Sequence, residues 1–129
     1  MKTKVLIIED HEDFRSTVKS YLEMQEIGLE IFEADSGELG IIKALREKPD
    51  IVLMDIRLPG ISGIEAAGRI KGYLPKCDII VLTMFETVAF KKVFKSDNIA
   101  AYIGKSELYD KLVPVIQKLL GKNQEPKKN

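Results

Sequence analysis

Short apolar runs recur along this chain at a steady interval, each followed by a stretch with helical spacing, and that alternation sharply limits the folds open to it. Lys4 to Ile8, Leu29 to Ala34, Ile51 to Met54, Asp78 to Leu82 and Ala100 to Ile103 read as strands. Most of these runs are apolar almost without interruption, as strands buried on both faces are. Between them Phe14, Val18, Tyr21 and Leu22 share one helical face, as do Leu39, Ile42 and Leu45. Ile64, Ala67, Ile70 and Leu74 repeat the spacing, and Leu108, Leu112, Val115 and Leu119 close the series. The stretch Glu86 to Lys95 is the weakest helix, with a narrow stripe of Phe90, Val93 and Phe94. Parallel strands need crossover connections, so this order predicts an α/β fold, a five-stranded parallel sheet with helices on both faces.

Punctuation supports the division. Asp10, with Asp13 three residues on, is expected to cap the first helix, and Ser36 and Ser106 two others. Leu58-Pro59-Gly60 and Gly63 mark a tight loop after the third strand. Pro114 falls inside the last helix, where a kink or a restart is expected. Gly121 is expected to end that helix, which gives one domain over 1–121 and a polar tail or start of a linker over 122–129. A chain of 129 residues is long enough for one core and short for two.

Composition excludes several classes of function. Twenty Lys and Arg balance twenty Asp and Glu, so no global field draws nucleic acid or an anionic membrane. The longest apolar run, Ile99 to Ile103, is five residues, far short of a bilayer span. Val5 to Ile8 is too short for the core of a secretory signal. One cysteine, Cys77, permits neither an internal disulfide nor a thiolate metal site. A cytoplasmic domain is the expectation.

In an open parallel sheet, ligands bind beyond the carboxyl ends of the strands. Glu9 and Asp10 follow the first strand, Asp55 the third, Thr83 the fourth and Lys105 the fifth. Three carboxylates gathered on one edge repel each other unless a cation sits among them. Hard oxygen ligands open to water favour Mg²⁺, and Mg²⁺ in turn suits a phosphoryl group. Thr83 is placed to donate to a phosphoryl oxygen and Lys105 to pair with another. Each residue alone has a plainer explanation: a cap, a turn residue, a strand end, a solvated charge. Five fitting residues at the ends of four strands are together a strong signal. His11 beside the acidic pair is a further metal-ligand candidate, although a solvated histidine near a helix start is the commoner case. Cys77 reads as a small, partly buried residue.

These residues resemble the receiver domain of bacterial two-component response regulators. V-L-I-I-E-D at the first strand, I-V-L-M-D-I-R-L-P-G-I-S-G at the third, V-L-T-M at the fourth and A-Y-I-G-K at the fifth carry the likeness, which runs from Lys4 to about Leu120. It implies a flavodoxin-like, doubly wound fold of three layers with strand order 2-1-3-4-5. It further implies that Asp55 is the phosphoacceptor and that Glu9, Asp10, Asp55 and the main-chain carbonyl of Arg57 bind Mg²⁺. Thr83 and Lys105 would contact the phosphoryl group, and Thr83 and Tyr102 would form the switch. The implied partners are a sensor histidine kinase, a second copy on phosphorylation, and a helix-turn-helix DNA-binding output domain, with no membrane and no direct nucleic-acid contact by this domain. Such a domain is not an enzyme in the usual sense, although it assists its own phosphorylation and dephosphorylation. Met84 after Thr83, and Ser106 after Lys105, depart from the commonest pattern. Met84 is placed to narrow access to Asp55, and with Ser106 no cis bond is expected there. Lys91, Lys92 and Lys95 read as a solvated face or, by the likeness, as part of a partner surface.

Three other functions fit less well. An aspartyl-nucleophile hydrolase needs a second acid two residues after the nucleophile, where this chain has Arg57. A flavin module needs a Ser/Thr/Gly phosphate loop after the first strand, where Glu9 to Asp13 is acidic. A pseudo-receiver acting only by interaction would lack the acceptor Asp or the Lys, and both are present.

Overall fold

All five expected strands form, and every pairing between them is parallel. A computed structural model describes residues 2–84 and 97–124. The elements are β1 (Thr3–Ile8), α1 (Glu12–Met24), β2 (Leu29–Ala34), α2 (Gly37–Glu47), β3 (Ile51–Asp55), α3 (Gly63–Tyr73), β4 (Asp78–Thr83), β5 (Ala101–Gly104), a 3₁₀ turn (Lys105–Glu107) and α4 (Leu108–Gln124). The strands stand in the order β2-β1-β3-β4-β5. The chain runs outward from β1 in one direction and then returns through β3 to the other edge, which is the doubly wound flavodoxin-like arrangement.

Side chains alternate between the two faces of a strand, and here both faces are dry. Val5, Ile7, Ile51, Leu53, Ile80, Leu82 and Ile103 meet Val18 and Leu22 of α1 and Leu108, Leu112 and Ile116 of α4. Leu6, Ile8, Val52, Met54 and Ile79 face Ala44 of α2 and Ala66, Ala67 and Ile70 of α3. This is why the strands read as unbroken apolar runs rather than alternating ones. Each wholly buried Ile or Leu stabilises the fold by roughly 1.5–3 kcal/mol.

The helices depart from expectation in instructive ways. Asp10 does not cap α1. His11 holds the cap position without a side-chain hydrogen bond, because the helix begins only at Glu12, one residue too late for Asp10 to reach it. Ser36 does cap α2, accepting from the Leu39 N–H, and Ser62, which periodicity overlooked, caps α3 through the Glu65 N–H. Ser106 lies within the 3₁₀ turn instead of capping α4. On α2 the buried residues are Gly37, Gly40 and Ala44. A Cβ on Gly40 would collide with the Ile8 side chain, so the helix lies on its smallest residues and Ile42 and Leu45 are left 57% and 39% exposed. α4 runs through Pro114 without a restart and past Gly121 to Gln124. Pro114 and Asp110 both face solvent, so water can serve the Asp110 carbonyl that the proline leaves without a donor. The stretch Glu86 to Lys95, with Phe90, Lys91, Lys92 and Lys95, lies outside the described residues. Among those described, no peptide bond is cis.

The loop after β3 binds its helix closely to the sheet. Gly60 turns at φ +77°, and the Gly63 N–H donates to the Ile56 carbonyl at 2.9 Å. A Cβ on Gly63 would collide with the backbone carbonyl of Asp55. Gly72, near the exposed end of the same helix, has nothing within 4 Å of the corresponding position. Gly63→Ala is therefore expected to lower stability in urea by about 1–3 kcal/mol. Gly72→Ala should raise it by about 0.5–1 kcal/mol through helix propensity alone. Equal stability of the two variants would refute this account of α3 packing.

Candidate functional site

Register alone sets most of the site. Ile8 pairs with Met54, so Glu9 and Asp55 leave neighbouring strands at the same level. Asp55 pairs with Leu82 and Thr83 with Gly104, which brings Thr83 and Lys105 to the same edge. Asp10, His11, Asp55, Arg57, Thr83, Met84 and Lys105 line a cavity there of about 370 Å³. Glu9 is buried next to this cavity, 2% exposed, with Asp55 at 9% and Thr83 at 1%.

One ammonium ties these groups together. Lys105 Nζ lies 2.9 Å from Glu9 Oε1 and 3.2 Å from Asp55 Oδ2. Beneath it the Phe14 ring of α1 presents its face, 4.3 Å from nitrogen to centroid, an attraction of the cation–π kind. The remaining Glu9 oxygen accepts from the His11 N–H at 3.1 Å, and Asp55 Oδ1 accepts from the Arg57 N–H at 3.2 Å. Burial is the largest influence on Glu9 and pushes its pKa up, only partly opposed by Lys105 and the His11 amide. Burial also works to lower Lys105, but the Glu9 hydrogen bond and the Asp55 and Glu9 charges outweigh it, so its pKa rises and it stays charged.

Of the residues expected to hold metal, Glu9 and Asp10 come together with His11, while Asp55 stands outside that group and shares Lys105 with Glu9. Glu9, Asp10 and His11 offer ligand atoms within 4.8 Å of one another. His11 Nδ1 stands 3.7 Å from Glu9 Oε2 and 3.9 Å from Asp10 Oδ1, on a side chain that is mostly in solvent. The donors at the edge are all hard oxygens apart from His11, and the buried carboxylates already share one cation in Lys105. That donor set fits Mg²⁺. Met84 is 84% exposed and lines the same cavity as Asp55. Tyr102 is half-buried on β5, opposite Val81. Cys77 is buried away from the site, its thiol pushed up to about 12 chiefly by burial.

Two residues at the site escaped the sequence reading. Phe14 read as core, since its spacing matches Val18, and nothing local marks an aromatic that supports a lysine from below. Arg15 carried no signal at all; its Nη1 donates to the Glu9 carbonyl at 2.8 Å.

Comparison with known proteins agrees with this arrangement. A sequence model of the response regulator receiver domain matches residues 5–117. The response regulator protein VraR of Staphylococcus epidermidis is 34% identical over 120 residues, 92% of this chain and 56% of that protein. VraR of Staphylococcus aureus is 33% identical over the same share. The chain therefore spans little more than half the length of these relatives. Among solved structures, the response regulator TrrA of Thermotoga maritima in complex with Mg²⁺-BeF aligns with a TM-score of 0.80 and 34% identity, over 92% of this chain and 99% of that one. A LuxR-family DNA-binding response regulator from Staphylococcus aureus aligns with a TM-score of 0.79 and 26% identity, over 91% and 98%.

The raised Glu9 has a pH consequence. A folded-state pKa above the ordinary 4.5 means that ionised Glu9 costs stability, fully above its folded value and not at all below 4.5. In chelator-treated protein, Glu9→Gln should be more stable than the parent at pH 8, and the difference should shrink as pH falls towards 4.5. Thermal unfolding of both proteins across that range checks it; a difference that does not vary with pH would refute the assignment.

Proposed function

The chain belongs to the response regulator receiver domain family of two-component signalling, and on that premise we propose that Asp55 is its phosphoacceptor and that the Lys105 edge is a phosphorylation switch. The observation that carries this reading is the Lys105 ammonium held 2.9 Å from Glu9 and 3.2 Å from Asp55, in a cavity shared with Asp10 and Thr83. An Asp55 carboxylate oxygen attacks phosphorus; the bond from phosphorus to the donor atom breaks, and the donor leaves with the electron pair. With a histidine kinase the donor atom is an imidazole nitrogen; with acetyl phosphate it is a carboxylate oxygen. Lys105 stays within reach of the oxygens on which charge develops, and Thr83 supplies a hydroxyl beside them, so positioning and electrostatics provide most of the acceleration.

Receiver domains of this family bind Mg²⁺ in an acidic pocket. Here Glu9, Asp10, Asp55 and the Arg57 carbonyl are the residues we assign to it, and TrrA, which was solved with Mg²⁺-BeF, supports the assignment by likeness. Bound there, Mg²⁺ supplies positive charge shared between the carboxylates and the phosphoryl oxygens. The relatives are longer, and one aligned structure is described as DNA-binding. By that likeness the partners are a sensor histidine kinase, a helix-turn-helix output domain that makes the DNA contacts, and a second copy on phosphorylation. The place of action would be the cytoplasm; among the described residues no helix is long and apolar enough to cross a membrane. The domain itself would occupy 1–121.

Phosphorylation adds roughly two negative charges and three acceptor oxygens at Asp55. Turning Thr83 towards them would vacate space beside β4, which the amphipathic ring of Tyr102 on the next strand is placed to fill. Phosphorylation then biases a two-state element, as a switch requires. With acetyl phosphate and Mg²⁺, the parent should gain a phosphoryl group by intact-mass spectrometry and Asp55→Asn should gain none; labelling of the variant to the parent's extent would remove Asp55 from its role. Thr83→Ala should still accept phosphate, yet lose the beryllofluoride-induced NMR shift at Tyr102 that the parent shows. A Tyr102 silent in both proteins would rule out the coupling.

A further inference from the structure

We infer that Arg15 is a positioning residue for the metal site: by holding the peptide that joins Glu9 to Asp10, it aims both carboxylates at the cavity. The inference rests on the assignment of Glu9 and Asp10 to Mg²⁺ proposed above. Both side chains hang from one peptide unit, whose oxygen is the Glu9 carbonyl and whose N–H belongs to Asp10. The orientation of that plane sets ψ of Glu9 and φ of Asp10 together, and with them the directions in which the two carboxylates leave the chain. Ladder hydrogen bonds fix the approach to this point, since the Glu9 N–H donates to the Ala34 carbonyl at 3.0 Å. Beyond it the chain has left the sheet, and α1 begins only at Glu12.

Arg15 closes that gap. Its Nη1 donates to the Glu9 carbonyl at 2.8 Å, while its Nε donates to Glu33 Oε1 at 3.1 Å. Glu33 stands on β2, opposite Ile7 of β1, and its other oxygen accepts from Lys19 Nζ at 3.3 Å. The Lys43 ammonium caps the Glu33 carbonyl as well. Burial would raise Glu33, but the hydrogen bonds and charges of Lys19 and Arg15 outweigh it and hold the group ionised. The guanidinium is thus anchored on the edge strand through one nitrogen and grips the Glu9–Asp10 peptide through another. It is largely buried, 17% exposed on its side chain, so the grip is shielded from competing water. An arginine fork does this and a lysine does not, because one ammonium nitrogen cannot fill both positions. Groups that orient metal ligands in this way typically change affinity by about 10–100-fold when removed.

The test uses Mg²⁺ alone, titrated into the folded chain and followed by NMR amide shifts well below the unfolding temperature. Arg15→Met keeps much of the buried stem, and should need about tenfold or more Mg²⁺ to reach half of its shift. Arg69→Met, which breaks only the exposed pair with Glu65 on α3, should titrate as the parent does. A merely structural role would lower the unfolding midpoint of Arg15→Met without Mg²⁺ and leave its titration midpoint unchanged, which would overturn the inference while leaving the metal site intact. A parent that shows no saturable shift would overturn the metal assignment itself, and this inference with it. Should Arg15→Met prove too unstable to titrate, Arg15→Lys carries the same test, with weaker Mg²⁺ binding expected and parental binding overturning the proposal.

Discussion

The interaction on which this site depends is a single lysine nitrogen shared between two buried carboxylates. Without Lys105, Glu9 and Asp55 would be like charges facing each other under a protein surface, an arrangement that burial and repulsion both oppose. With it, the pair is compensated, and the ammonium is itself seated on Phe14 and held charged. Because its three contacts come from the residue after β1, from β3 and from α1, the lysine also joins elements far apart in sequence. Glu9 and Lys105 are separated by 96 positions along the chain. The sheet brings them together, and no local preference would.

The sheet achieves this by register. Parallel pairing keeps one register along the ladder, so Glu9 just past β1, Asp55 and Thr83 closing β3 and β4, and Lys105 just past β5 arrive at one edge whatever lies between. Ile8 opposite Met54, Asp55 opposite Leu82 and Thr83 opposite Gly104 form an unbroken set of correspondences from β1 to β5. A slip of one residue anywhere would turn every following side chain to the other face and drive a carboxylate into the apolar layers. The dry cores on both sides of the sheet forbid that slip. Packing of the helices thus protects the geometry of a polar site to which α1 also contributes Phe14 and Arg15.

What was legible in the sequence follows from this physics. Strands buried on both faces announce themselves as apolar runs, and the residues that end them are polar because the edge is wet, so Glu9, Asp10, Asp55, Thr83 and Lys105 could be read from position alone. Their order in the sheet came only through the family resemblance, since alternation does not say which strands are neighbours. The strand ends, by contrast, fell a residue short at Asp55, Thr83 and Gly104, because polar or small residues that finish a ladder look like loop. Helix details failed where tertiary contact overrode pattern. α2 turns Gly40 to the sheet because a Cβ there would collide with Ile8, and Gly37 lies as closely against Ile61, so its Ile42 and Leu45 face outward against their hydrophobicity. Arg15 was invisible for a different reason: its partners are a main-chain carbonyl six residues back and a glutamate on another strand, and neither leaves a mark in local sequence.

Charge accounting carries the argument one step beyond the pairwise contacts. Glu9, Asp10 and Asp55 bring three negative charges to the edge; Lys105 brings one positive charge, and Arg57 adds another only at the rim. A phosphoryl group on Asp55 would add roughly two more negative charges within reach of the same ammonium. Two of the three Lys105 N–H donors already engage Glu9 and Asp55, so this one ammonium meets only part of the charge that such a group adds. A divalent cation held by the residues proposed for it would supply the further positive charge that the carboxylates and a phosphoryl group together call for. Of the acidic pair Asp10 is the more exposed, 36% on its side chain against 3% for Glu9. On the proposed assignment, an ion entering from solvent would meet the Asp10 carboxylate before the Glu9 one. Under the inference drawn for Arg15, the orientation of the peptide between them would decide whether both carboxylates reach the same ion.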